Sequence, residues 1–176
     1  VEPFVEDREV RGSLPSKFLA DRSVYDDQLV ALERNAYQSG VRILEDAIDL
    51  AEGQVDLELA LADWRWYFGR RGAARDIYRE LHYLNPGLFQ TPKPLPHGLT
   101  GSVISRADDD ALVSTYRFTV TERGRAKDFS LVSPTVEGSD ANRIRKALRE
   151  MRFRPSLDAE GKVKEHQLTG QYRFLR

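Results

Sequence analysis

The sequence of 176 residues contains no cysteine, one methionine and only three histidines, His82, His97 and His166. Without cysteine, the chain has no disulfide, no thiolate metal ligand and no cysteine nucleophile. No two of the histidines have the spacing of metal ligands. A glycine-rich phosphate loop and the G-x-S-x-G and H-E-x-x-H motifs are also missing. We therefore expect a protein that is not an enzyme and that holds no cofactor and no metal.

Long apolar runs and a strong net charge are missing as well. No apolar stretch approaches the roughly 20 residues that span a bilayer, so we expect no membrane contact by this part of the protein. The net charge of −1 argues against a protein that binds nucleic acid. The charge is uneven, because residues 1–99 hold 12 basic and 17 acidic residues and residues 100–176 hold 15 and 11. This difference predicts two units with different surfaces.

The apolar pattern predicts an irregular lead-in over residues 1–24 and helices over residues 25–86. Four apolar stripes in the second segment have helical spacing. They are Tyr25, Leu29, Leu32 and Ala36; Val41, Leu44, Ile48 and Ala51; Leu57, Leu61, Trp64 and Phe68; and Ala74, Ile77, Leu81 and Leu84. Gly40, Gly53 and Gly72 separate the stripes, and Asn85-Pro86-Gly87 ends the last one. Two helical hairpins are therefore predicted.

The second pair of stripes repeats the first at an offset of 32 or 33 residues. This offset is close to the period of about 34 residues of a tetratricopeptide array. The second copy has small or aromatic residues at the positions where that family has them, namely Ala62, Gly69, Ala74 and Tyr78. Residues 25–86 thus resemble tetratricopeptide repeats, which implies a groove for a peptide or a helix. A plain antiparallel four-helix bundle is the alternative.

Residues 87–111 are predicted to be a linker. Three prolines alternate in the stretch Thr-Pro-Lys-Pro-Leu-Pro-His at 91–97, which favours an extended path and excludes a helix. Asp108, Asp109 and Asp110 follow, and the carboxylates of Glu45, Asp46, Asp49 and Glu52 lie on a predicted helix. A metal site or acid–base catalysis could use such groups, but we favour an ordinary solvated surface for both.

The pattern changes to strict alternation over residues 112–176. Tyr116, Phe118 and Val120 mark a first strand, and Phe129 and Leu131 mark a second one after a turn at Glu-Arg-Gly-Arg (122–125). An amphipathic helix begins near Ser139 or Asp140 and carries the apolar residues Ala141, Ile144, Leu148 and Met151. A third strand covers residues 167–174. The order is a ββαβ unit with a three-stranded antiparallel sheet.

The stretch Arg149-Glu-Met-Arg-Phe-Arg-Pro-Ser-Leu157 follows this helix. Pro155 disfavours helical dihedral angles at Arg154, so the helix must end by about Phe153. Phe153 is then expected to lock the helix end onto the sheet. The flanking arginines are expected to face solvent near the helix C-terminus, where positive charge is favourable. Asp-Ala-Glu-Gly (158–161) is expected to turn the chain back towards the last strand.

Residues from about 110 to 176 resemble the C-terminal domain of the TonB energy-transducer family. The likeness is carried by Val120-Thr-Glu-Arg-Gly-Arg125, Ala147, Met151-Arg-Phe-Arg-Pro-Ser156, Gly161-Lys-Val163 and Tyr172-Arg-Phe174. Met151 and Ser156 stand where the family often has tryptophan and alanine. The fold class that follows is α+β, with tetratricopeptide-like helical hairpins ahead of a small TonB-like domain.

The resemblance implies a periplasmic interaction protein that is linked to envelope transport. In the family, the last strand of the sheet pairs with an extended segment of a partner, a mode known as strand addition. The corresponding residues are Gln167, Leu168, Thr169, Gly170, Gln171, Tyr172, Arg173 and Phe174. The expected partner is a protein or peptide, such as an outer-membrane or envelope protein. A capping domain, or a homodimer formed through the same edge, is the alternative.

Two further expectations concern the helix surface and the start of the chain. Arg143, Lys146 and Arg149 form a basic face of the predicted helix, which could attract phosphates or an acidic partner. We favour an ordinary solvent face for them. The chain starts at Val1 without a methionine or a signal-peptide pattern, so we expect a fragment or a processed product, and any targeting segment or membrane anchor would lie upstream.

Overall fold

The apolar stripes of the N-terminal half form helices in the computed structural model of the chain. The structure describes residues 22–51, 53–95, 104–106, 114–133 and 139–174, and the chain divides into two units, Val1–Ile43 and Leu44–Arg176. The helices of this half are α1 (Arg22–Leu50), α2 (Val55–Tyr67) and α3 (Arg71–Leu84). A short 3-10 helix (Pro86–Phe89) follows α3.

The first predicted hairpin is wrong, because α1 is one continuous helix of 29 residues. Gly40, the predicted break, lies inside it. A glycine in a helix interior costs about 1 kcal/mol relative to alanine, which is too little to end a helix with good helix formers on both sides. The second predicted hairpin is confirmed, because α2 and α3 pack against each other. The turn between them lies at Gly69, with φ +80°, and not at Gly72.

The C-terminal half contains eight strands and one helix among the described residues. The strands are β1 (Lys93–Pro94), β2 (Ile104–Arg106), β3 (Ser114–Val120), β4 (Ala126–Ser133), β5 (Phe153–Arg154), β6 (Ser156–Leu157), β7 (Val163–Lys164) and β8 (His166–Phe174), and α4 (Ser139–Glu150) follows β4. The predicted hairpin, helix and final strand are confirmed as β3, β4, α4 and β8. The sheet has four antiparallel strands in the order β2-β8-β3-β4, one more than predicted.

The linker predicted over residues 87–111 is wrong for the parts that the structure describes. β1 pairs with β5, β2 pairs with β8, and the side chains of Phe89 and Leu95 are buried. The prolines explain this outcome, since they hold the backbone extended. They lack a backbone N–H donor, which a short strand at the edge of a sheet tolerates. The apolar residues between them are then free to enter the core.

The described residues contain two apolar clusters. The first, which we call the sheet core, lies between α4 and one face of the four-stranded sheet and consists of Tyr116, Phe118, Val120, Ala126, Ile144, Leu148, Met151 and Phe153. The second, the hairpin core, joins α2 and α3 to later parts of the chain and consists of Leu59, Ala62, Trp66, Ala74, Tyr78, Leu81, Phe89, Leu95 and Leu157. The helix α4 therefore covers the face of the sheet that carries Tyr116 and Phe118.

The segment from Met151 to Leu157 connects the two cores. Met151 and Phe153 belong to the sheet core, and Leu157 belongs to the hairpin core. The ring centroid of Phe153 lies 5.7 Å from that of Phe118, so Phe153 locks the end of α4 onto the sheet as predicted. The hairpin α2–α3 and the sheet are therefore parts of the same unit, Leu44–Arg176.

Gly124 in the β3–β4 turn occupies a place where only glycine fits. Its φ is +68°, and a β carbon there would collide with the carbonyl oxygen of Phe153 and the indole nitrogen of Trp66. Gly69 is a matched control, because it has φ +80° with no atom near the β carbon position. We expect Gly69→Ala to cost about 1 kcal/mol, from backbone strain alone.

Gly124→Ala is expected to cost about 3 kcal/mol, because overpacking adds roughly 1–3 kcal/mol to the same strain. Urea unfolding of both variants measures the difference. Equal losses would show that the turn does not pack against α2.

Candidate partner-binding site

The predicted docking strand has a neighbour on both sides at its C-terminal end. β8 pairs with β3 from His166 to Tyr172, and residues 172–174 also pair with β2. The prediction of a free flank along the whole of residues 167–174 is therefore wrong for the last three. Along residues 166–171, no strand in the described part of the chain occupies the flank opposite β3.

The free part of β8 is regular and polar on its outer face. Seven successive residues of β8 pair with β3 without a shift in register. The side chains of Gln167, Thr169 and Gln171 are exposed, whereas Leu168 and Tyr172 pack against the sheet core. A β carbon on Gly170 would lie 2.9 Å from the Tyr172 ring, which explains the glycine. The side chains of Arg173 and Phe174 lie outside the described part of the structure.

β4, which forms a margin of the sheet, is irregular. Two residues, Asp128 and Phe129, stand opposite Phe118 alone, and the register shifts again near Val132. Asp128 has φ +54°, the left-handed conformation found at such bulges. Bulges protect exposed edges from pairing with other chains. Although β4 also has only one neighbouring strand, it is therefore a poorer template than β8.

A groove of about 450 Å³ lies between the bulge of β4 and α4. Its lining residues are Ala126, Lys127, Asp128, Phe129, Arg145 and Arg149. The Arg149 guanidinium carbon lies 5.6 Å from the centroid of the Phe129 ring. The Nε atom of Arg145 is buried and has no hydrogen-bond partner among the described residues. The groove is thus basic on its helical side.

Only one member of the predicted basic face reaches this groove. Arg143, Lys146 and Arg149 are all exposed, but Arg149 alone lines the groove, together with Arg145. Arg145 was not among the predicted residues. Its spacing of four residues from Arg149, which places both on one side of a helix, is the signal that could have found it.

Arg154 makes the most buried ion pair of the described residues, contrary to the prediction that it faces solvent. Its side chain is 10% exposed, and its Nε and Nη2 atoms donate to the two carboxylate oxygens of Asp63 at 2.8 and 2.6 Å. The hydroxyl group of Tyr78 donates to the same carboxylate at 2.7 Å. Asp63 lies on α2 and Tyr78 on α3, so the helical hairpin provides both partners.

In the cluster of Asp63, Tyr78 and Arg154, the buried charges compensate each other. Burial lowers the pKa of Arg154, but the hydrogen bond and charge of Asp63 outweigh burial and the pKa is raised. Burial, followed by the charge of Asp63, raises the pKa of Tyr78 well above its ordinary value. The arginine therefore stays charged and the tyrosine neutral over the ordinary pH range. This arrangement holds the two parts of the unit together.

The remaining candidates lie apart from one another. His82 is buried beside the Phe89 ring, and His166 is half-buried at the start of β8. Glu45 pairs with Arg65 at 2.7 Å. His97, Glu52 and the triplet at 108–110 lie outside the described residues. Among the residues that are described, no three His, Asp or Glu side chains come together as metal ligands would.

Comparison with known proteins adds no family to this geometry. No protein-family model matches the chain, and none of the curated proteins matches it. None of the described helices combines the length and the apolar character needed to cross a membrane.

Replacing Asp63 by alanine leaves the charge of Arg154 buried without its partner. Breaking a buried ion pair from one side costs about 3 kcal/mol, so we expect a loss of that size. Glu45→Gln is the matched control, because the Glu45–Arg65 pair is more exposed and such pairs contribute less than about 1 kcal/mol. Urea unfolding compares the two variants, and similar small losses would mean that solvent screens the Asp63–Arg154 pair.

Tyr78 predicts a dependence of stability on alkaline pH. In the unfolded chain a tyrosine ionises near pH 10, whereas the raised pKa of Tyr78 keeps it neutral in the folded protein. Its contribution to stability is therefore complete below about pH 10 and is lost as the pH rises towards the folded pKa. Tyr78→Phe is expected to flatten the alkaline decline of the unfolding free energy. Tyr83→Phe, at an exposed position of α3, serves as the control.

Proposed function

We propose that this chain is a non-enzymatic interaction protein of the bacterial periplasm, whose sheet binds an extended partner segment by strand addition to residues 166–171 of β8. One observation carries the proposal. This stretch of β8 pairs regularly with β3 and has no described strand on its outer flank. An extended segment placed there gains main-chain hydrogen bonds along its length, while alternate side chains provide specificity.

The contrast between β4 and the first part of β8 supports the choice of β8. β4 carries two register shifts and a left-handed residue, whereas β8 carries none between His166 and Tyr172. An added strand requires evenly spaced donors and acceptors. β8 meets this requirement, and β2 limits the available stretch at its C-terminal end.

The resemblance to the TonB family supports the cellular setting of the proposal. The resemblance rests on the order of β3, β4, α4 and β8, on the turn at Gly124 and on the helix exit at Phe153. A periplasmic location, an envelope protein as partner and a link to transport follow from the resemblance. The α2–α3 hairpin supports the sheet in this arrangement, because it packs on the helix exit through Arg154 and Leu157.

The test uses the whole chain and a neutral eight-residue peptide of alternating Gln and Thr with blocked ends. The backbone N–H groups of neighbouring residues in an antiparallel strand point to opposite sides. Proline has no backbone N–H group. Of the substitutions His166→Pro and Gln167→Pro, one therefore removes an N–H group that points to the outer flank, and the other removes an N–H group that donates to β3. The variant that keeps its stability is expected to lose peptide binding in an NMR titration.

Amide hydrogen exchange provides the second measurement. We expect the peptide to slow exchange at alternate residues of 166–171 and at none of β4. A stable proline variant with unchanged affinity would contradict strand addition at β8. A concentration-dependent dimer in sedimentation experiments, lost in the same variant, would instead assign this edge to a second copy of the chain.

A further inference from the structure

We propose that the groove between the β4 bulge and α4 is a second binding site, which takes a short acidic segment of a protein partner in extended conformation. The site is distinct from the outer flank of β8, because β3 lies between the two strands. The bulge interrupts the regular backbone donors and acceptors of β4. A ligand in the groove is therefore expected to bind through side chains and not through backbone pairing.

The charges of the groove determine the sign of the ligand. Lys127 is engaged by Glu165 at 2.8 Å and by Asp128 at 4.0 Å. Arg145 and Arg149 make no salt bridge among the described residues. Two uncompensated guanidinium groups therefore face the groove, and guanidinium groups bind carboxylates through paired, charge-assisted hydrogen bonds.

Arg145 contributes an independent indication. Its Nε donor is buried and unpartnered in the described structure, and a buried donor without an acceptor is unfavourable. A carboxylate that binds the same guanidinium group from the groove offsets part of this cost. Arg149 is held in place by the Phe129 ring beneath it, which reduces the freedom that it would lose on binding.

The spacing of the two arginines determines the conformation of the ligand. Residues four apart are separated by about 6 Å along a helix axis. Alternate residues of an extended chain are separated by about 6.7 Å and point to the same side. Two carboxylates at alternate positions therefore match Arg145 and Arg149. The groove of about 450 Å³ lies alongside both arginines, and the match of spacings is what favours an extended segment.

The test compares two eight-residue peptides with blocked ends, one of alternating Glu and Thr and the other of alternating Gln and Thr. Binding to the whole chain is measured by fluorescence anisotropy at physiological ionic strength. The acidic peptide is expected to bind the wild type at least about tenfold more tightly than the neutral peptide. Arg149→Gln and Arg145→Gln are each expected to weaken binding of the acidic peptide about tenfold, the effect of one charged hydrogen bond.

Lys146→Gln is the matched control, because it removes one positive charge from the same helix at an exposed position outside the groove. It is expected to weaken binding less than about twofold, since salt screens exposed charges. Equal effects of Lys146→Gln and Arg149→Gln, or equal affinity for both peptides, would overturn the site. Both peptides can pair with β8 through their backbones, so the comparison is repeated in the stable proline variant of β8, which separates the two sites. Unfolding curves of Arg145→Gln and Arg149→Gln confirm that any loss arises in the folded protein.

Discussion

The pairing of Arg154 with Asp63 is the interaction on which the arrangement of the second unit depends. The arginine is on the strand that leaves α4, and the carboxylate is on the helical hairpin. Both are largely removed from water, so each charge is stable there only because the other is present. The hydroxyl group of Tyr78 completes the coordination of the carboxylate and fixes its orientation. Because the geometry is directional, it specifies one way in which the hairpin packs on the sheet.

The alternation of side chains around this pair explains the unusual sequence that follows α4. In an extended chain, successive residues point to opposite sides. Phe153 therefore enters the sheet core while Arg154 faces the hairpin, and Pro155 is buried behind them. Leu157 then extends into the hairpin core. The segment from Phe153 to Leu157 thus contacts the sheet core on one side and the helical hairpin on the other. β1 pairs with its first two residues.

The elements with a strong local pattern could be predicted from the sequence. The alternation around Phe118 predicts strand β3, and Gly124 predicts the β3–β4 turn. Both predictions succeed because residues close in sequence determine these structures. The predicted helix break at Gly40 was wrong, because the free-energy cost of one glycine in a helix interior is small compared with the stability of a helix of 29 residues. β2 has only three residues and no alternation of its own, so its place beside β8 depends on tertiary pairing. Arg154 was misplaced because its partner lies 91 positions away in the chain.

The bulges of β4 also determine how copies of this protein can associate. A sheet with two equivalent open margins can join head to tail, and such contacts propagate into filaments when the rotation does not close. Here the register shifts and Asp128 interrupt the even spacing of donors and acceptors along β4, which disfavours pairing of this strand with a neighbour. The irregularity of β4 therefore lowers the risk of polymerisation that exposed strands usually bring.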